Sequence, residues 1–200
     1  FVDILLKRAS LADLVNNHPE IREIPIEKPI FIVGLPRTGT TLLHNLMSQD
    51  ITKRTFKLWE LSQPIKLNDL DKDFESELIK KTEMWVKTFS RLQPNFALIH
   101  PLQANACDEC NWLLQNTFAA NLFTIHYYIP TYFKWLMEQD LSAQYKFYKL
   151  QLQALLWRKQ NQVNFSQNQQ LVLKSPDHLW HLDALTNVFP DAQIVQLHRD

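Results

Sequence analysis

Apolar residues fall into two kinds of run along this chain: short continuous blocks bounded by turn residues, and longer stretches where they recur every three or four positions. The blocks at 29–33 and 170–174 are rich in Ile, Val and Leu, which predicts strands. Further strands are predicted at about 54–59 and at 193–199. The periodic stretches predict helices at 1–15, at 74–91 (Leu78, Ile79, Trp85, Val86, Phe89), at 107–123, and at 142–158 (Tyr145, Tyr148, Leu152, Leu155, Leu156). Strand 170–174, a helix at about 178–188, the turn Phe189-Pro190-Asp191 and strand 193–199 make an α/β unit with parallel strands. The stretch of about 100 residues between strands 54–59 and 170–174 is too long for one crossover, so residues 65–165 or so are expected to form a helical cap insertion.

Two glycines are all that 200 residues contain, where average usage gives about fourteen. Both, Gly34 and Gly39, lie in KPIFIVGLPRTGTTLLHNL, between the first strand and a helical pattern. Gly34 can take a positive φ and reverse the chain, Pro36 stiffens the loop, and Gly39 lets the backbone approach a bound group with no Cβ in the way. Thr40 and Thr41 open the helix, whose first N–H groups lack intrahelical partners and carry the positive end of its dipole. With Arg37 as a permanent cation, the segment forms a pocket for phosphate-like oxygens.

The glycine spacing is that of a Walker A loop, yet the lysine that should follow the second glycine is Thr40. An NTPase uses that lysine on the β/γ-phosphates, so its replacement counts against ATP or GTP hydrolysis. The string Pro36-Arg37-Thr38-Gly39-Thr40-Thr41 resembles the 5′-phosphosulfate loop of the sulfotransferases: Pro, Lys or Arg, Ser or Thr, Gly, Ser or Thr, Thr. Arg199-Asp200 is similar to the start of that family's arginine motif, which binds the 3′-phosphate of 3′-phosphoadenosine 5′-phosphosulfate (PAPS). Lys174-Ser175-Pro176, 25 residues before Arg199, resembles the segment whose lysine touches the transferring sulfonate in the carbohydrate and tyrosyl branches.

The resemblance implies a three-layer α/β/α sheet of the nucleoside-triphosphate-hydrolase type. It implies PAPS as co-substrate, adenosine 3′,5′-bisphosphate as product, no metal, and donor contacts from Pro36, Arg37, Thr38, Gly39, Thr40, Thr41 and Arg199. The reaction it implies is sulfonate transfer to a hydroxyl, with Arg37 and Lys174 neutralising charge on the leaving phosphate. Three residues stand as base. Glu60, 23 residues after Arg37 and expected at a strand's carboxyl end, is similar in position to the catalytic glutamate of the carbohydrate and tyrosyl branches. His100 is the second, because cytosolic sulfotransferases use a histidine. Glu109 in NACDEC is the third, and is equally readable as a helix N-terminal acid favoured by the dipole.

With 46% apolar residues, the chain supports one sulfotransferase-like domain over 1–200 with its own core. Twenty-one basic and 21 acidic residues cancel, which removes the footprint of a nucleic-acid binder and favours a small or lipid-like hydroxyl acceptor. The longest apolar run, near 30–35, is too short for a membrane span, and with no signal peptide the expected location is cytoplasmic. Starting at Phe1 and ending one residue into the arginine motif, the chain reads as a fragment truncated at its C-terminus. Cys107-x-x-Cys110 has no second pair for zinc, and the intervening Asp108 and Glu109 oppose a thiolate, so two reduced cysteines on one side of a helix are expected. His178-x-x-His181 lacks a third ligand and is read as exposed helix histidines. Trp112, Phe118, Phe123, Tyr127, Tyr128 and Trp135 suit a core stripe or an acceptor pocket. A P-loop small-molecule kinase and a non-catalytic sulfotransferase-like binding protein are the alternative functions.

Overall fold

The computed structural model describes residues 1–62, 74–96, 100–160 and 169–199; Asp200 and the expected ends of the insertion, residues 65 and 165, lie outside them. Four parallel strands form one sheet in the order β2-β3-β1-β4. These are β1 (Ile30–Val33), β2 (Lys53–Arg54), β3 (Gln170–Lys174) and β4 (Gln193–Gln196). β1 lies between β3 and β4, and all four of its residues are buried, as a continuous apolar run in a parallel sheet requires.

The two faces of the sheet follow from strand periodicity. Ile30, Ile32 and Val172 point one way, onto Leu43 and Met47 of helix α2 (Thr40–Met47). Phe31, Val33, Leu171 and Leu173 point the other way, into the main core. Helices α1 (Val2–Asn17), α8 (Ser142–Gln160) and α9 (Leu182–Val188) supply Leu11, Leu152, Leu155 and Leu185 to that core. The result is three layers, α/β/α. The described part of the long segment between β2 and β3 is helical: α3 (Leu58–Ser62), α4 (Phe74–Leu92), α5 (Asn111–Leu114), α6 (Leu122–His126), α7 (Pro130–Met137) and α8. Trp59 of α3 and Leu78 of α4 bury each other. Among the described residues no helix is long and apolar enough to cross a membrane.

Three predicted elements differ from the structure. The strand expected at 54–59 is only the two residues of β2, after which the chain turns into α3. The cause is a capping contact: the Glu60 carboxylate reaches back to accept the Lys57 backbone N–H at 2.8 Å, starting a helix that buries Leu58, Trp59 and Leu61. The single helix expected at 107–123 is broken into α5, a 3₁₀ turn (Gln115–Thr117) and α6, because Phe118 takes the left-handed conformation, φ 61°. Tyr132 covers the break, its hydroxyl accepting from the Ala120 N–H at 2.9 Å and donating towards Phe118 O at 3.2 Å. The helix expected at 178–188 begins as a 3₁₀ turn (Pro176–Trp180), where Ser175 Oγ accepts from the Asp177 N–H at 3.2 Å.

Candidate active site

The loop from β1 into α2 is built from left-handed backbone. Gly34 has φ 154°, Arg37 φ 72° and Gly39 φ 98°. A Cβ on Gly34 would stand 2.8 Å from Leu197 O and 2.9 Å from Thr38 Oγ1, so the turn has no room for a side chain. Thr38 Oγ1 closes the loop by donating to Leu35 O at 2.7 Å. Gly39 is the N-cap of α2, and the first helical bond runs from Leu43 N to Gly39 O at 3.1 Å. A turn with repeated positive φ ahead of a helix N-terminus is the kind of backbone that can present N–H groups to an anion. Arg37 holds a left-handed conformation at a cost of about 1–2 kcal/mol. Pro36, Arg37, Gly39 and Thr41 are exposed and Thr40 is buried.

At the level of the loop, β3 delivers Lys174. The register aligns Ile32 with Lys174, so the lysine leaves the sheet beside the start of α2. It is 1% exposed. Its Nζ donates to Glu109 Oε1 at 2.6 Å and to Thr41 Oγ1 at 3.4 Å. The other Glu109 oxygen accepts from Asn111 Nδ2 at 3.0 Å. Burying an ammonium costs several kcal/mol unless it is paired, so the position of Lys174 depends on Glu109. Beside Glu109, Asp108 Oδ1 accepts from His100 Nε2 (3.1 Å), from Trp112 Nε1 (3.4 Å) and from the Glu109 N–H (2.6 Å). Burial works against a charge on His100, but the Asp108 hydrogen bond and the charges of Asp108 and Glu109 outweigh it and raise its pKa.

The Lys174 backbone is fixed from behind. Its carbonyl accepts from the Cys110 N–H at 3.0 Å and from the Cys110 thiol at 3.3 Å. Cys110 Sγ also meets His178 Nε2 at 3.1 Å, and His178 Nδ1 meets the Tyr145 hydroxyl at 2.8 Å. One assignment of protons satisfies every contact: S–H to the carbonyl, Nε2–H to sulfur, and Tyr145 O–H to Nδ1. The groups stay neutral, since burial pushes the Cys110 thiol up to about 12 and burial, then His181, pushes His178 down to about 3. Asp177, 5% exposed, is raised to about 7 by burial and by the charge of Glu109.

The structure therefore brings Lys174, Glu109, Thr41 and, through Asp108, His100 together next to the loop. Glu60 is engaged elsewhere: it lies in the first turn of α3, not at a strand end, 2% exposed, with Arg54 Nη2 2.5 Å from Oε1 and the Lys57 N–H on Oε2. Arg199 is exposed beyond β4, and its partner in the motif, Asp200, lies outside the described residues. Both cysteines are free, as expected, but neither lies on a helix. Cys107 forms an antiparallel bridge with Lys57 and donates to Asn45 Oδ1 at 3.0 Å, and Cys110 caps α5. His178 is fully buried, not exposed, because it is the centre of the network behind Lys174. Among the described residues, no three His, Cys, Asp or Glu form a group that could hold a metal ion. Sequence reading missed Asp108, Asp177 and the Cys110–His178–Tyr145 network; the run Cys-Asp-Glu-Cys was the one local signal for the first of these.

A parallel sheet whose first strand feeds a left-handed Gly-Arg-Gly loop at a helix N-terminus defines an α/β protein of the phosphate-loop class. Within that class the chain belongs to the sulfotransferase family, whose sequence profile matches residues 29–200. It is 30% identical over 181 residues to the omega-hydroxy-beta-dihydromenaquinone-9 sulfotransferase Stf3 of Mycobacterium bovis and of Mycobacterium tuberculosis, covering 87% of this chain and 42% of each relative. The crystal structure of sulfotransferase STF1 from Mycobacterium tuberculosis matches with a TM-score of 0.77 and 29% identity, over 98% of this chain and 50% of that one. Sulfotransferase STF9 from Mycobacterium avium matches with a TM-score of 0.78 and 26% identity, over 99% of this chain and 50% of that one. The chain thus spans half or less of the length of these relatives.

Proposed function

We propose that this protein transfers a sulfonate from PAPS to the hydroxyl of a lipid-like acceptor. The observation that carries the reading is the buried Lys174–Glu109 pair, whose lysine also reaches Thr41 on the first turn behind the phosphate loop. Residues 36–41 would hold the 5′-phosphosulfate, and Arg199 the 3′-phosphate. What supports the fit is a loop with three positive-φ residues, Gly34, Arg37 and Gly39, leading into the N-terminus of α2, whose first N–H groups lack intrahelical partners.

In this reading Glu109 is the base and Lys174 the cation. Glu109 takes the acceptor proton as the hydroxyl oxygen bonds to sulfur, and the bond from sulfur to the bridging phosphate oxygen breaks, leaving its electron pair on the phosphate. Protonation removes the charge that held Lys174, so the ammonium turns to the oxygen where charge now accumulates. Two donor hydrogens of Lys174 are occupied by Glu109 and Thr41, leaving the third for that oxygen. His100, held towards its charged form by Asp108, suits a positioning or proton-donating role better than that of a base. Glu60 supports α3. Residues 65–165 would form the helical side from which the acceptor approaches, and the reaction belongs to the cytoplasm.

The lipid-like acceptor is supported by the relatives named for a hydroxylated menaquinone. The test is transfer of radiolabelled sulfonate from PAPS to a panel of long-chain and isoprenoid alcohols, using the complete protein. Labelled ester that disappears in Glu109→Gln supports the reading; its absence with every alcohol, under conditions where the bisphosphate binds, overturns it.

A further inference from the structure

The Lys174–Glu109 pair is tied together by backbone as well as by charge. Among the described residues, pairing on the β2 side of β3 ends at Arg54 and Leu171, so no strand lies beside the end of β3 there. Cys110 fills that place. Both lone pairs of the Lys174 carbonyl are taken by this one residue, by its N–H at 3.0 Å and by its thiol at 3.3 Å. Glu109 is the residue before Cys110, so the acid and the ammonium, 2.6 Å apart, stand at the two ends of a single clamp.

A thiol is a weak donor on a freely rotating bond, and it would not hold a carbonyl unaided. Its direction is set by His178, whose Nε2 lies 3.1 Å from Cys110 Sγ. With Nε2–H on the sulfur, the S–H is left for the carbonyl. The imidazole is itself fixed. It is fully buried, its Nδ1 accepts from the Tyr145 hydroxyl at 2.8 Å, and the rings of Phe31 (5.0 Å, 87°) and Tyr148 (5.8 Å, 61°) meet it edge to face. A satisfied buried polar network specifies one arrangement, which an apolar side chain of the same volume would not do.

We infer that His178 is a positioning residue: through Cys110 it fixes the distance and angle between the Glu109 carboxylate and the Lys174 ammonium while touching neither. The inference rests on the proposed sulfonate transfer for what the pair does, and on the contacts alone for what His178 does to the pair. A displacement of about 1 Å costs a reaction up to about 10²-fold in rate, so loosening the clamp should lower kcat by about tenfold. The phosphate loop belongs to β1 and α2, outside the clamp, and should be untouched.

The test is a double-mutant cycle on the complete protein, in which urea unfolding of Lys174→Met, Glu109→Gln and the double variant measures the coupling within the pair. It is run in wild type, in His178→Gln and in His178→Asn. The Gln amide reaches the place of Nε2 and donates to sulfur; the shorter Asn amide reaches only the place of Nδ1 and leaves the thiol unheld. Coupling should fall below about half of its wild-type value in His178→Asn and largely survive in His178→Gln. A merely structural His178 would lower the stability of every variant equally and leave the coupling unchanged, and that result overturns the inference. Where His178→Asn does not fold, Tyr145→Phe, which removes only the hydroxyl on Nδ1, takes its place under the same criterion. Adenosine 3′,5′-bisphosphate should bind each background within about twofold of wild type, and binding that weakens in step with the coupling overturns a role confined to the pair. In the active enzyme kcat should fall about tenfold in His178→Asn, with KM for PAPS unchanged, and recover in His178→Gln; an unchanged kcat with halved coupling overturns the inference too. Reduced coupling in a protein that sulfonates no alcohol would keep the positioning role and sink the sulfotransfer reading.

Discussion

Replacing Lys174 with Met separates what the buried ion pair does for stability from what it does for catalysis. Met keeps most of the volume and removes the charge, leaving Glu109, whose side chain is 17% exposed, without its 2.6 Å partner. Breaking a fully buried pair costs about 3–5 kcal/mol. Glu109 keeps some solvent and its Asn111 hydrogen bond, so the expected loss is ~2–3 kcal/mol, read as a lower urea midpoint. Adding Glu109→Gln removes the stranded charge, and the double variant should recover at least about half of that loss. Activity should behave differently. Removing a preorganised cation is expected to lower kcat by about 10²–10³, and the double variant should stay as slow as the worse single one because the two groups act as a unit. A Lys174→Met protein whose kcat stays within about threefold of wild type would exclude a catalytic role for the lysine, and a double variant less stable than Lys174→Met would exclude a stranded Glu109 charge as the source of the loss.

Three further outcomes follow from the same structure. Gly34→Ala should cost ~2–4 kcal/mol in urea unfolding, since its Cβ meets Leu197 O at 2.8 Å and Thr38 Oγ1 at 2.9 Å; Gly39→Ala meets only Leu197 Cδ2 at 3.7 Å, so it should cost about 1 kcal/mol from its φ of 98° alone. Stability should peak between about pH 6 and 7. His178 and His44, lowered from 6.5 to about 3 and about 4, contribute stability that is present above 6.5 and lost as pH falls through those values. Asp177, raised from 3.8 to about 7, contributes stability present below 3.8 and lost as pH rises through 7; Asp177→Asn should therefore be the more stable protein at pH 8, by up to ~4 kcal/mol, with the advantage falling to roughly 1–2 kcal/mol at pH 5. Native protein should react slowly with a thiol reagent at pH 7.5, because burial raises both thiols, Cys110 to about 12, and urea should release both cysteines.

The parts of the site that were legible in the sequence are those whose chemistry is local. Ile30–Val33, the two glycines and Thr40-Thr41 state strand, turn and helix within twelve residues, and each residue's backbone preference agrees with its place. The strand that carries Lys174 was legible as a short apolar run, while Lys174 itself stood out only through the resemblance of Lys174-Ser175-Pro176 to the sulfotransferase segment. Glu109 was named, but its role was not visible, since its partner is 65 residues away and no local pattern encodes a contact at that distance. His178 read as exposed because Pro176 starts a 3₁₀ turn, which rotates the following residues off the α-helical face and points the imidazole inward. Glu60 read as a strand-end acid because residues 54–59 alternate like a strand; the capping bond to Lys57 decides for helix, and it is made by the side chain itself. The break at Phe118 needs the Tyr132 hydroxyl, which comes from a helix not yet reached in the chain.

We propose that the loop around Gly34 and Gly39, with Arg37 inside it, is the cradle of a PAPS-type donor. Calorimetric titration of the complete protein with adenosine 3′,5′-bisphosphate, compared with ATP plus Mg²⁺, tests it most directly. The bisphosphate should bind preferentially and without Mg²⁺, and Arg37→Ala should weaken it about 10–100-fold, the loss of one or two charge-assisted hydrogen bonds. Preference for ATP with Mg²⁺, or tight bisphosphate binding that survives Arg37→Ala, would contradict it.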